Sequence, residues 1–142
     1  MLQNNLTDTK IDELSALIDH QLRELSTAPP VAFRGVYIDD KRLTLPVKQL
    51  RAIEEATGEA AESFWTRFKR AAWRDLCQED GLLYQQWQKW RDLNNKDLIK
   101  ILYGVLAGMG IHGNILYVLV VATAVIIIHL GITAICEEGG DK

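Results

Sequence analysis

The feature that most constrains this chain is an apolar block near its C-terminus, NILYVLVVATAVIIIHLGITAIC, residues 114–136. Between residues 101 and 136 there is no Asp, Glu, Lys or Arg, and 13 of the 22 residues from Ile115 to Cys136 are Leu, Ile or Val. As a helix, these residues would be about 33 Å long, compared with about 30 Å for the hydrocarbon core of a bilayer. The block therefore predicts a transmembrane helix over 115–136.

The alternative for this block is a buried core helix in a soluble fold. Residues 1–100 hold nearly all of the charge of the chain. A soluble part of this size builds only a small core, which could hardly surround the block on every side. Insertion of the block into lipid is favoured by about 4 to 8 kcal/mol, more than one histidine opposes. We therefore expect lipid, rather than protein, to surround the block.

Basic residues on one side of the block predict its orientation in the membrane. Lys89, Arg91, Lys96 and Lys100 precede the block, whereas only Lys142 follows it. Because basic flanks stay on the cytoplasmic side, the N-terminal part should lie in the cytoplasm, at the inner or plasma membrane. The N-terminal sequence MLQNNLTDTK lacks a basic start followed by an apolar core, so no signal peptide is predicted.

A shorter apolar segment precedes the block and leaves two topologies open. Residues 96–111 are predicted to form a short helix, and the sequence HGN at 112–114 suits a turn, because glycine ends helices and asparagine caps them. In one topology both helices cross the membrane as a hairpin. In the other, the first helix lies in the interface and only helix 115–136 crosses. Residues 137–142 form a short tail.

Three residues of this membrane segment, 96–136, are candidate functional positions. Gly104 and Gly108 have the small-xxx-small spacing that lets helix backbones approach closely in lipid. They are predicted to form a packing face, either within a hairpin or between copies of the chain. His129 is a titratable residue inside the apolar block, and it could face a pore, or be a neutral imidazole that bonds to a neighbouring helix.

The remainder, residues 1–95, is predicted to form a small cytosolic helical domain. Two short runs of strand-forming residues around DDK also fit a β-hairpin over 33–45. The fold class is therefore all-α, with a minor β-hairpin, followed by a C-terminal transmembrane helix or helical hairpin. Apolar residues that recur at intervals of three and four place the helices at about 9–26, 46–57, 59–78 and 81–93.

Aromatic and basic residues cluster before the membrane segment and on the third predicted helix. Such residues fit the headgroup region of anionic lipid, where indoles lie at the interface and guanidiniums bind phosphates, or a contact with a partner protein. The alternative is that the aromatic side chains belong to the core of the helical domain. The residues predicted to contact lipid headgroups or a partner are Trp87, Lys89, Trp90, Arg91, Arg67, Arg70 and Arg74.

No constellation typical of an enzyme or a metal site is found in the sequence, so catalytic residues, metals and cofactors are not expected. Cys77 and Cys136 are far apart and predict no disulfide framework; Cys136 fits a buried thiol or an acylation site at the membrane edge. Arg67 and Arg70 after Gly58 have only the outline of a helix-turn-helix, and with a net charge of −3 nucleic acid is not an expected partner.

The expected function is therefore non-enzymatic. The sequence favours a membrane-anchored interaction or adaptor protein that self-associates through its membrane helices and receives a protein partner. The main alternative is a small membrane-disrupting or pore-forming effector, holin-like or defence-related, in which Gly104 and Gly108 mediate oligomerisation and His129 faces the lumen. A minor alternative is a membrane-tethered DNA-binding regulator.

Overall fold

The computed structural model describes residues 6–27, 46–90, 95–131 and 135–136. Within them the fold is all-helical, which confirms the all-α prediction. The predicted β-hairpin over 33–45 lies outside the described residues. The helices are α1 (Asp8–Thr27), α2 (Val47–Thr57), α3 (Ala61–Cys77), α4 (Leu82–Trp90), α5 (Asn95–Gly108) and α6 (Asn114–Leu130).

The helices other than α6 are amphipathic, and their apolar sides face the core. In α1, Ile11, Leu14 and Ile18 are buried at intervals of three and four. The first turn of α1 is capped by Thr7, whose hydroxyl accepts a hydrogen bond from the N–H of Lys10 at 3.1 Å. Local sequence therefore determines both where α1 begins and which of its sides is buried.

A tight corner joins α2 to α3. Gly58 has a φ of 75°, and its N–H donates to the carbonyl of Glu54 at 2.8 Å, which ends α2. The carboxylate of Glu54 then accepts a hydrogen bond from the N–H of Ala61 at 2.9 Å, at the start of α3. A carboxylate is favourable there because the N-terminus of a helix carries partial positive charge. One side chain thus links the two helices.

The apolar helix α6 lies at the centre of the bundle, with α1, α2 and α5 packed against it. Every residue from Leu119 to Ile127 is buried. The hydroxyl of Thr123 donates to the carbonyl of Leu119 at 2.7 Å, so this buried polar group is satisfied. The expectation that the remaining chain is too small to surround the block is wrong for this stretch, because three amphipathic helices each turn an apolar side toward α6.

The C-terminal end of α6 also differs from the prediction. The sequence interpretation continues the helix from Ile115 to Cys136, whereas α6 ends at Leu130. Gly131 follows with a φ of 89°, and its N–H donates to the carbonyl of Ile127 at 2.8 Å. A positive φ is outside the helical range, and it interrupts the helix at this point. Among the described residues, no helix combines the length and the apolar character needed to cross a membrane.

The connection between α5 and α6 contains the predicted turn at 112–114. Gly110 and Gly113 both have positive φ values, of 93° and 79°, and they reverse the chain direction. The two helices then pack against each other, and the rings of Tyr103 and Tyr117 lie 6.1 Å apart. The two predicted membrane helices therefore form a helical hairpin inside the bundle.

A disulfide joins Cys77, the last residue of α3, to Cys136. The Cα atoms are 5.7 Å apart, although the cysteines are separated by 59 positions in the sequence. The interpretation of Cys136 as a buried thiol or an acylation site is therefore wrong in this structure. Cysteine spacing could not reveal the bond, because the pairing depends on the path of α4, α5 and α6 between the two residues.

Candidate functional site

The candidate functional site is the apolar block together with the residues that cover it and hold its ends. At its C-terminal end the indole of Trp87, from α4, packs against Gly131, and the disulfide holds Cys136 to α3. Ile135, next to the disulfide, is buried in the core. The block is therefore held at this end by one apolar contact, one buried side chain and one covalent bond.

The two predicted packing glycines lie on the exposed side of α5. Gly104 and Gly108 are exposed, and a Cβ added at either position would meet no atom within 4 Å. Ala107, between them, is also exposed. This face of small residues therefore does not pack against α6, and its use in contacts between copies stays a prediction.

His129 lies in the last turn of α6, two residues before Gly131. Its side chain is half-buried, in contrast to the fully buried stretch that ends at Ile127. The structure therefore places this titratable group at the edge of the core rather than in its centre.

The residues predicted to contact lipid headgroups or a partner lie in different surroundings in the structure. On α3, Arg67 forms an ion pair with Glu59, and Arg74 lies 3.6 Å from Asp80, while Arg70 is exposed. The pair of Arg74 and Asp80 is solvent-exposed and that of Arg67 and Glu59 is largely so, and each therefore contributes little to stability. Trp87 is half-buried against the core; the side chains of Lys89 and Trp90 and the whole of Arg91 lie outside the described part.

A groove of about 380 Å³ lies between α1, α2 and α6, and the sequence did not predict it. Leu17 and Val118 line it and are 48 % and 45 % exposed. Gln49 also lines it but is only 2 % exposed; its Nε2 donates to Gln21 Oε1 at 2.6 Å. Within the described residues, Gln49 Oε1 has no hydrogen-bond partner. Gln49 precedes buried Ile53 by four positions and so lies on the same, inner side of α2. This spacing could have indicated from the sequence that Gln49 is buried.

Near the groove, a charged pair connects α1 to α2. Lys48 Nζ donates to Glu24 Oε1 at 3.2 Å. The hydrogen bond and the charge of Lys48, with a smaller contribution from His20, hold the pKa of Glu24 below its ordinary value. The pair is exposed, so solvent screens it. It aligns α1 and α2 at the surface rather than forming a reactive site.

The chain was also compared with known proteins. No protein-family model matches the chain, and no curated protein and no solved structure matches it significantly. Within the described part of the chain, no three His, Cys, Asp or Glu residues form a group that could hold a metal ion.

Proposed function

We propose that this protein is a non-enzymatic interaction protein that is anchored in the inner or plasma membrane by its apolar block, residues 115–136, with the preceding part of the chain on the cytoplasmic side. On the membrane it self-associates, and the rest of the chain binds a protein partner. The observation that carries this proposal is the character of α6, which is apolar on every side. A helix of this kind belongs in a core or in a bilayer, and the same sequence suits both.

The packing of α6 connects membrane attachment to self-association. In the bundle, α1, α2 and α5 cover α6 with their apolar sides. If the block enters a bilayer, α1 and α2, whose buried residues include Ile18 and Ile53, lose their contacts with α6. Exposed apolar surface of this kind is unfavourable in water, which drives it to bind another copy, a partner protein or the lipid surface.

Vesicle flotation tests the attachment. The full chain is mixed with liposomes of phosphatidylcholine and phosphatidylglycerol and centrifuged through a density gradient, with dithiothreitol present so that the state of the disulfide does not affect the result. We expect the chain to float with the vesicles and to resist extraction by alkaline carbonate. A chain that stays at the bottom of the gradient contradicts the proposal.

Val118→Asp is the informative variant, with Leu17→Asp as its control. Both residues are about equally exposed in the bundle, so neither aspartate should disturb the fold. Val118 belongs to the apolar block and Leu17 does not. An aspartate costs about 2.5 to 3.5 kcal/mol at the centre of a membrane helix and less toward its ends. We expect Val118→Asp to lower the floating fraction several-fold and Leu17→Asp to leave it unchanged.

A second candidate function, a membrane-permeabilising effector, is favoured by the exposed glycines of α5. Gly104 and Gly108 form an open, small-residue face, and in lipid such faces let helices associate closely. Release of a trapped dye from the same vesicles tests this function. Gly108→Leu should abolish release while flotation continues, and His129→Leu should reduce release if the imidazole faces a lumen. Vesicles that bind the protein but retain the dye exclude this candidate.

A further inference from the structure

The disulfide holds the last residue of the apolar block. Cys136 ends the block, and Cys77 ends α3, which lies in the part of the chain that precedes the block. The bond requires the two Cα atoms to be 5.7 Å apart. Both cysteine side chains are half-buried, so a soluble thiol can reach them. The state of this bond therefore limits where the end of the block can go.

A block that crosses a bilayer once places its two ends on opposite sides. If residues 1–113 remain on one side, Cys136 emerges on the other, about 30 Å from the surface on which Cys77 lies. That separation is incompatible with a disulfide between them. A single crossing and the Cys77–Cys136 bond therefore exclude each other.

A double crossing would return Cys136 to the side of Cys77, and three features of α5 argue against it. With 14 residues, α5 is about 21 Å long, too short for the hydrocarbon core. It is amphipathic, with Leu98, Leu102 and Leu106 buried and Lys100 exposed. At the start of α5, the side-chain Nδ2 of Asn95 donates a hydrogen bond to Oδ1 of Asp19 on α1 at 3.0 Å. These features keep α5 with the rest of the bundle.

We infer that the Cys77–Cys136 disulfide is a redox lock on membrane insertion: the oxidised chain keeps its apolar block in the bundle, and reduction frees the block to cross the bilayer once. This inference rests on the proposed membrane attachment and adds that the redox state of the disulfide regulates it. In a reducing cytosol the lock is open, and in an oxidising compartment it is closed.

Thiol–disulfide exchange with a dithiol reductant opens the lock. One thiolate of the reductant attacks a sulfur of the pair and forms a mixed disulfide, releasing the first cysteine as a thiolate. The second thiol of the reductant displaces the other cysteine and closes the reductant into its own disulfide. Two electrons and two protons pass to Cys77 and Cys136, which end as two thiols.

Flotation of three forms of the full chain tests the lock. The first is the oxidised chain, whose lack of free thiols is verified with a maleimide under denaturing conditions. The second is the same chain with dithiothreitol, and the third is Cys136→Ser without reductant, verified as helical by circular dichroism. We expect the oxidised chain to remain at the bottom of the gradient and the other two to float, with at least a tenfold difference in the bound fraction.

The possible failures separate the two claims. If none of the three forms floats, the membrane attachment is wrong and the lock falls with it. If all three forms float equally and the oxidised form still has its disulfide, the membrane attachment stands and the lock is wrong. Free thiols in the chain after air oxidation also overturn the lock, because no bond then exists to open.

Labelling of the floated, reduced chain tests the single crossing. A membrane-impermeant maleimide added outside the vesicles should modify Cys77 and leave Cys136 unmodified until detergent is added. Cys136→Ser, which has Cys77 as its only thiol, should be fully labelled from outside and serves as the matched control. Modification of both cysteines in intact vesicles overturns the single crossing and with it the lock.

Discussion

The indole of Trp87 would contact a side chain at position 131 more tightly than side chains usually contact each other. From a Cβ built on Gly131, Trp87 Cζ2 lies at 3.1 Å and Cη2 at 3.3 Å. The backbone of Gly131 also has a φ of 89°, which side chains rarely tolerate. Two independent features therefore favour glycine where α6 ends, and the contact with Trp87 joins α4 to that end of the apolar helix.

Gly131→Ala should destabilise the protein and Gly104→Ala should stabilise it. The first substitution adds a methyl group against Trp87 and strains the backbone, with an expected loss of about 1 to 3 kcal/mol. The second adds a methyl group into open space within an exposed helix, with an expected gain of about 0.5 to 1 kcal/mol. Denaturant unfolding measures both, and a neutral Gly131→Ala contradicts the contact.

The buried position of α6 in the bundle predicts unequal effects of truncating two isoleucines on that helix. Ile127 has no exposed surface and Ile115 is 45 % exposed. Ile127→Ala should cost about 2 to 5 kcal/mol of unfolding free energy, because it leaves a cavity, and Ile115→Ala less than about 1 kcal/mol. Both are measured by denaturant unfolding in buffer without lipid. Equal effects would mean that protein does not surround Ile127.

Because Gln49 Oε1 has no hydrogen-bond partner among the described residues, replacing this buried polar side chain by an apolar one should cost no stability. A buried acceptor without a donor costs about 1 to 3 kcal/mol. Gln49→Met should leave the protein equally stable or up to about 1 kcal/mol more stable, since half-buried Gln21 can turn to water. Gln85→Met, at an exposed position on α4, is the control. A loss above about 2 kcal/mol at Gln49 would reveal a partner for its oxygen.

Loss of the disulfide should destabilise the bundle. The bond closes a loop of about 60 residues, for which the loss of unfolded-state entropy corresponds to about 4 kcal/mol. Cys77→Ser and Cys136→Ser should each lower the midpoint of thermal unfolding, and dithiothreitol should lower that of the unmodified protein to the same value. A reductant effect that persists in either serine variant would point to a cause other than this bond.

The ion pair of Glu24 and Lys48 predicts a small pH dependence of stability. Because the folded pKa of Glu24 lies below its ordinary value of 4.5, the pair contributes stability that is fully present above that pH. The contribution is lost as the pH falls through the folded pKa. Glu24→Gln should therefore be slightly less stable than the unmodified protein at pH 7 and equally stable near pH 2. Glu55→Gln, on an exposed site of α2, controls for loss of charge.

The presence of the helices and the buried sides of the amphipathic ones could be predicted from the sequence, because both depend on the spacing of residues close together in the chain. In α1, the interval pattern of Ile11, Leu14 and Ile18 already indicates which side is buried. Gly58 lies between the predicted helices 46–57 and 59–78, and in the structure it ends α2 with a positive φ. Information of this kind lies within a few residues and needs no knowledge of the fold.

The sequence by itself determined that most of residues 115–136 must be removed from water, because this apolar block contains no Asp, Glu, Lys or Arg. Only the tertiary structure decided what surrounds it, since an all-apolar helix looks the same in lipid as among other helices. The approach of Cys77 to Cys136 and the fit of Trp87 on Gly131 depend on how distant segments pack. Such contacts leave no trace in local spacing, because each is made by residues that the chain brings together only when it folds.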